Sequence, residues 1–281
     1  MKILIADSGA TKTDWLYAEG TDTTHIKTQG LHPSTLDAIS DLTDMELHLS
    51  ELKPDIIYFF GTGCGNPVGD EKIRLFLNQI FPKARLNINS DLAGSAKAFF
   101  ENSDGAVVIM GTGAICCKVE HGKVVEKSAA LGYAIGDEGS AADLGRRILK
   151  MYYRQQGEPD TLEFIRKKIN NMDYGSMTNR IYSAAKPNRE LASVAGEVLH
   201  QPMPAELISL IREAFSDFIK YQLTTLGITE QTNIVCTGKV ADVHSDILID
   251  VFHDFGFEHV EIKYPVIDSF RKRIKAGTLT F

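Results

Sequence analysis

Residues 2–11 read KILIADSGAT, and residues 106–115 read AVVIMGTGAI. Laid over each other at an offset of 104 (113 − 9), Ile3, Leu4 and Ile5 fall on Val107, Val108 and Ile109, and Ser8-Gly9-Ala10 falls on Thr112-Gly113-Ala114. Each copy is an apolar strand running into a turn of small residues. Each is followed by a second strand-like run, Thr13-Asp14-Trp15-Leu16-Tyr17 in the first and Cys116-Cys117-Lys118-Val119 in the second. Two glycine-bearing hairpins half a chain apart predict a protein of two related halves. They also predict a ligand held between the halves, because such turns expose backbone N–H groups that can cradle phosphate.

Outward from the first hairpin, strands are expected at 2–7, 13–18 and 24–29. Leu36, Ile39, Leu42, Met45 and Leu49 recur at helical spacing, which predicts an amphipathic helix over 34–49. The run Asp55-Ile56-Ile57-Tyr58-Phe59-Phe60 suits a strand covered on both faces, ending at Gly61-Thr62-Gly63. A helix over 70–80, a strand over 85–89 and a helix over 92–101 complete this half. The order β-β-β-α-β-α is an α/β layout with a mixed sheet. In the second half a helix is expected over 140–153, with Ala141, Leu144, Ile148 and Tyr152 on one face. Residues 160–225 read as largely helical, with breaks at Gly175, Pro187 and Pro202-Met203-Pro204. A strand over 232–236, a helix over 241–253 and a strand over 258–263 follow. The expected domains are 1–104 and 105–281, the second carrying a helical insertion at about 155–225, packed closely around a cleft.

Composition narrows the function. The chain has 281 residues, 43% hydrophobic and 24% charged, with a formal charge of −7. That balance suits a globular protein and disfavours nucleic acid or an anionic membrane as partner. The four cysteines, Cys64, Cys116, Cys117 and Cys236, form no CxxC pair, so neither a zinc site nor a disulfide framework is signalled. The first residues are too short for a signal-peptide core. No run of about 18 apolar residues exists for a membrane span. A cytoplasmic setting is expected.

Several segments can carry chemistry. Asp7 ends a strand, where a carboxylate can hold Mg²⁺, usually through water. Gly9 permits close approach of backbone to phosphate, and Thr11, Lys12 and Thr13 can donate to its oxygens. The chain has no Walker A loop, and an ordinary polar hairpin turn reads the same segment equally well. Gly111-Thr112-Gly113 is weak alone and gains weight as the second copy. Asn89-Ser90-Asp91 opens a helix. It reads as an N-cap, as a general base, or as both, with the helix terminus expected to hold the Asp91 carboxyl low. Gly136-Asp137-Glu138-Gly139-Ser140-Ala141 holds two acids and two glycines before a helix. Asp137 or Glu138 can accept from sugar hydroxyls, or the segment is a capping turn. Gly238-Lys239-Val240-Ala241 follows a strand and fits a nucleoside pocket or a plain βα turn. Cys116 and Cys117 read as half-buried strand.

Together these segments resemble the actin-like ATPase and sugar kinase superfamily, and more narrowly N-acetylglucosamine kinase and the BadF/BadG/BcrA/BcrD-type ATPases. The resemblance runs nearly the length of the chain. It is most specific from Val107 to Lys150, where VVIMGTGA and GYAIGDEGSAADLGRRILK are similar to the family's GTGS and GDEGSA signatures. It implies two ribonuclease-H-like domains closing on ATP and Mg²⁺. By position, it implies Asp7 at the metal, and Gly9, Ala10, Thr11, Lys12, Thr13, Gly111, Thr112 and Gly113 at the phosphates. It places Thr237 and Gly238 at the adenosine, and Asp91 as the base for the sugar's 6-hydroxyl. Asp137 resembles the sugar-binding acid, with His32, Gly113 and Ala141 also lining the sugar.

The chain departs from the family pattern at His32-Pro33, where an Asn is usual. It departs again at Ala114 in place of the GTGS serine, at Thr237-Gly238 in place of Gly-Gly, and at Pro265-Val266-Ile267-Asp268-Ser269 in the final helix. The leading expectation is phosphorylation of an amino sugar, N-acetylglucosamine at the 6-hydroxyl, by a homodimer using ATP. The alternatives are an activator ATPase holding an iron–sulfur cluster with paired cysteines, and a non-catalytic sugar or nucleotide sensor.

Overall fold

The computed structural model describes residues 1–9, 11–34, 36, 49 and 51–279. The expected helix over 34–49 lies almost wholly outside them; Leu36 and Leu49 are described and buried.

The chain divides into two compact units. One comprises Met1–Ser103, His121–Val124 and Tyr264–Phe281; the other comprises Asp104–Glu120 and Val125–Lys263. The first unit contains strands β1 (Lys2–Ser8), β2 (Lys12–Glu19), β3 (Asp22–Gln29) and β4 (Ile56–Gly61), helix α1 (Pro67–Ile80), strand β5 (Arg85–Ser90) and helix α2 (Asp91–Phe100). Its sheet runs β3-β2-β1-β4-β5, with the hairpin strands antiparallel and β1, β4 and β5 parallel. Alternation sorts its side chains onto two faces. Leu4, Ala6, Trp15, Ile57 and Phe59 face a core that includes Ile73, Phe76 and Leu77 of α1. Ile5, Leu16, Ala18 and Phe60 face a second core with Ala98 of α2. Both faces are covered, which is why β4 reads as an unbroken apolar run.

The second unit contains β6 (Gly105–Met110), β7 (Ala114–Glu120), all but the first two residues of β8 (Lys123–Lys127), α3 (Ala141–Tyr153), α4 (Pro159–Lys168), α5 (Tyr174–Tyr182), α6 (Pro187–Val198), α7 (Ala205–Phe218), β9 (Ile234–Thr237), α8 (Lys239–Val243), α9 (Ser245–Asp254) and β10 (Val260–Ile262). Its sheet order is β10-β9-β6-β7-β8, with β6–β7 antiparallel and β6, β9 and β10 parallel. This is the order of the first sheet read from its other edge, so the duplication covers five strands and not one hairpin. The residue offset changes in three dimensions. Ser8 pairs with Thr13 at one strand end and Met110 with Ala114 at the other. Ser8 is therefore the counterpart of Met110, and Thr112 belongs to the turn.

The helix α10 (Val266–Ala276) carries the final correction. A single boundary near 104 assigned everything beyond it to the second domain, yet the segment from Tyr264 is part of the first unit. Ile267, Phe270 and Ile274 of α10 close the second face of the first sheet, with the Phe270 ring stacked on Phe60 at 5.6 Å. Removing a buried phenyl ring of this kind costs about 3–5 kcal/mol. The expected helix over 241–253 is two helices, because buried His244 leaves helical geometry (φ −114°, ψ 31°). The break expected at Gly175 falls earlier, since Asp173 caps α5 by accepting from the N–H groups of Gly175 and Ser176. Pro187 starts α6, where its missing N–H costs nothing.

Candidate functional site

In a mixed α/β sheet, ligands gather beyond the carboxyl ends of the parallel strands. In the first unit Ser8, Gly61 and Ser90 lie at one level across β1, β4 and β5. Asp7, Thr62 and Asp91 flank that level.

Asp7 and Asp14 stand directly opposite in the β1–β2 ladder. Like charges so placed repel. Lys12, Asp14 and His25 share the face with Asp7, because β-strand side chains alternate and Asp14 pairs with Lys27, two residues from His25. The neighbours offset the repulsion. Asp14, 2% exposed, receives Lys12 Nζ at 2.8 Å and His25 Nε2 at 2.8 Å. Lys12 also lies over the Tyr264 ring, 5.1 Å from its centroid. Burial opposes the Lys12 charge, but its bonds to Asp14 and Tyr264 outweigh burial and raise its pKa. Asp7 has no such partner among the described residues. Burial, then Asp91 and Asp14, push it to about 7, against a smaller opposing pull from Lys12.

An undercompensated, half-buried carboxylate fits a bound divalent cation. Among the described residues no cluster of three or more His, Cys, Asp or Glu is arranged for a metal. A hydrated cation such as Mg²⁺ keeps most of its waters and needs only one or two carboxylates.

Asp91 is the first residue of α2. Ser90 is the N-cap and accepts from Ala93 N–H. The Asp91 carboxylate accepts from Thr62 Oγ1 at 2.6 Å and from Leu92 N–H at 2.9 Å. Thr62 N–H in turn donates to Ser8 O at 2.9 Å, linking β1 to Asp91. The helix terminus was expected to hold this carboxyl low. Burial outweighs both hydrogen bonds and the nearby His32, and the Asp91 pKa is raised. His32 Nδ1 accepts from Ser34 N–H and lies beside its hydroxyl at 2.7 Å, and its other ring nitrogen abuts Gly63. Gly63 has φ +83°, and a Cβ there would stand 2.7 Å from His32 Nε2.

In the second unit the Gly111-Thr112-Gly113 turn is docked on the start of α3. Ala141 N–H donates to Gly111 O and Ala142 N–H to Thr112 O, while Ser140 Oγ accepts from Asp143 N–H. The first N–H groups of α3 are thus spent within the chain. Ala141 has no N–H left for a sugar. Asp137 sits at φ +57°, a conformation rare for a residue with a side chain. Its carboxylate faces Gly113 and accepts weakly from Ala114 N–H at 3.4 Å. A Cβ at Gly113 would stand 3.0 Å from Asp137 Oδ2, so glycine leaves this acid its room. Burial raises the Asp137 pKa more than that N–H lowers it. Thr237 ends β9 beside Ile109, and Gly238 (φ +100°) presses on the end of β6, where a Cβ would meet Met110 O at 2.2 Å. The buried Thr237 hydroxyl has no hydrogen-bond partner among the described residues.

The structure gathers Asp7, Gly9, Lys12, His32 and Asp91 in the first unit, and Gly111, Thr112, Gly113, Asp137, Ala141, Thr237 and Gly238 in the second. Ala10 lies outside the described residues, and Thr11 is exposed. Thr13 does not fit the phosphate role. Its fully buried hydroxyl bonds Ser8 Oγ, Gln29 O and Leu31 N–H. Glu138 is committed to Gln222, which leaves Asp137 as the free acid of that turn. Cys116 and Cys117 are both fully buried and, as strand neighbours, point to opposite faces of β7. Burial pushes the Cys116 thiol up to about 12. This pair cannot jointly ligate a cluster at a surface. Thr62, Asp14 and His25 had no role in the sequence reading. The Gly61-Thr62-Gly63 spacing, counterpart of Thr237-Gly238 at the end of β9, was the available signal for Thr62.

No protein-family model matches the chain. An N-acetylmuramic acid/N-acetylglucosamine kinase from Clostridium acetobutylicum is 26% identical over 180 residues, 59% of this chain and 56% of that relative. The match thus spans little more than half the length of the curated relative. Two solved structures match end to end. A candidate N-acetylglucosamine kinase from Porphyromonas gingivalis is 25% identical, with a TM-score of 0.84 over 98% of this chain and 99% of that one. A second candidate, from Chromobacterium violaceum, is 18% identical, with a TM-score of 0.72 over 97% and 98%. The resemblance drawn from the motifs therefore extends to the whole fold. No helix among the described residues is long and apolar enough to cross a membrane.

Proposed function

We propose that this protein is an ATP-dependent kinase of an amino sugar, N-acetylglucosamine, acting at the 6-hydroxyl. The observation that carries the reading is Asp91: a half-buried carboxyl, raised in pKa, fixed by Thr62 at the strand ends that also hold Asp7. The similar proteins named above support the substrate class.

In the proposed mechanism Asp91 accepts the hydroxyl proton as the oxygen attacks the γ-phosphorus. A raised pKa makes it a stronger base than an exposed carboxylate. The demand on it is modest, because phosphoryl transfer is loose and catalysis rests on position and charge. Lys12, held by Asp14, presents a fixed ammonium to the phosphates. Gly9 brings backbone close to them; within the second unit, the 111–113 turn and Thr237-Gly238 are the nucleotide-binding candidates. Asp7 would hold Mg²⁺, which would supply positive charge to neutralise the phosphates. Asp137 accepts from the sugar hydroxyls. The reading takes the protein to be a cytoplasmic homodimer, which sedimentation and fractionation would check. ADP release measured across a panel of amino sugars, with the phosphate position read by phosphorus NMR, tests the substrate. N-acetylglucosamine should give the highest kcat/KM and a 6-phosphate.

A further inference from the structure

The turn that carries Asp137 is fastened by a residue 84 positions away. Directly after α7 the chain makes one π-helical turn, Ile219–Leu223. Such wide turns are uncommon and cluster at functional sites. Here the turn aims Gln222 inward, leaving it 5% exposed. Both ends of its amide are used. Gln222 Nε2 donates to Glu138 Oε2 at 2.8 Å, and Gln222 Oε1 accepts from Ser128 Oγ at 2.9 Å. The opposite amide orientation would set two acceptors, Oε1 and the Glu138 carboxylate, against each other, so the assignment is chemically fixed. Ser128 is itself tied to β7. Its Oγ accepts from Cys116 N–H, and its N–H donates to Cys116 O.

Ser128 and Glu138 bracket an irregular segment whose middle is solvent-facing, with Leu131 54% and Ile135 73% exposed. The backbone around Asp137 is held within the segment by two hydrogen bonds, from Gly136 N–H to Gly132 O and from Ser140 N–H to Asp137 O, neither of which reaches its start at Ser128. Arg146 grips its middle through the carbonyls of Tyr133 and Ala134, and Asp143 accepts from Gly139 N–H. Gln222 holds the side chain next to Asp137 and the start of the segment together. A residue at φ +57° reverts to commoner conformations unless its surroundings over-determine it.

We propose that Gln222 is a positioning residue: through Glu138 and Ser128 it holds Asp137 in its left-handed conformation and so sets sugar affinity. This rests on the sugar kinase reading for its consequence, and not for its structural content.

The test uses the full-length protein with Gln222→Leu, Gln222→Glu and the exchange Gln222→Glu/Glu138→Gln. The single Glu variant sets two carboxylates against each other. The exchange restores a carboxylate–amide pair and still accepts from Ser128. Hydrogen exchange of the 129–139 amides should quicken at least tenfold in both single variants. The sugar KM should rise at least tenfold with the ATP KM within twofold. The exchange variant should return both readouts to within threefold of the parent. Unchanged amide exchange, an equal rise in both KM values, or an exchange variant no better than Gln222→Glu alone overturns the proposal. If the parent phosphorylates no sugar, the kinase reading fails, and the amide exchange still decides the positioning role.

Discussion

Thr62 Oγ1 donates a 2.6 Å hydrogen bond to Asp91 Oδ2, and the same residue's N–H is bonded to Ser8 O at 2.9 Å. One threonine thus ties the proposed base to the strand that carries Asp7. Its hydroxyl stabilises the ionised form of Asp91 against the burial that disfavours it. Losing a hydrogen bond to a charged group costs about 1.5–3 kcal/mol, which is about 1–2 pKa units. In Thr62→Val the acid limb of kcat/KM should move to higher pH by about that much, and Thr62→Ser should restore it. A pH profile that does not move would remove Thr62 from the account.

Asp7 makes a separate prediction about stability. Its folded pKa, about 7, lies above the ordinary carboxylate value of about 4. A group raised on folding contributes stability that is full below its unfolded pKa and is lost as pH rises through its folded pKa. Without Mg²⁺, Asp7→Asn should therefore melt a few degrees above the parent at pH 8 and level with it near pH 4. Mg²⁺ should raise the parent's melting temperature at pH 8 and leave the variant's unchanged. Equal responses of the two proteins to pH and Mg²⁺ would show that Asp7 does not hold the cation.

Asp14 should matter to nucleotide and not to sugar. Its buried carboxylate fixes Lys12 and His25. The pair is half in solvent at the Lys12 end, so Asp14→Asn should cost about 1–3 kcal/mol of stability, between the values for exposed and buried pairs. With Lys12 unanchored, the ATP KM should rise about tenfold. Steady-state kinetics varying each substrate in turn check this.

Gly238 is the sharpest steric test. At φ +100°, with Met110 O 2.2 Å from any added Cβ, Gly238→Ala meets both backbone strain and overpacking. A loss of about 3 kcal/mol or more is expected. Gly111, with nothing within 4 Å of an added Cβ and no positive φ, should tolerate alanine without loss of stability. Denaturant melts of the two variants decide it.

The doubled hairpin is legible because a buried strand and a tight glycine turn leave a local signature. The full duplication is not, since β3 and β8 share no pattern and only sheet order reveals the match. Phe270 and Ile267 lie on the last helix. Nothing local says that they close the first sheet, because partner choice is a tertiary fact. The candidate acids stand out by type and turn context. Their environments do not. A helix terminus argues for a low Asp91 pKa, and burial, invisible in sequence, reverses the sign. Thr13 reads as a phosphate donor until Ser8, Gln29 and Leu31 are seen to occupy its hydroxyl. Gln222 could not be found at all, since its partners lie 84 and 94 residues away.

The most direct test of the central claim is ADP release with MgATP, with and without N-acetylglucosamine, in the parent and in Asp91→Asn. The account predicts sugar-dependent release by the parent and a loss of about 100-fold or more in kcat for the variant, with ATP still bound. No stimulation of the parent by any amino sugar, or full activity in Asp91→Asn, would contradict it.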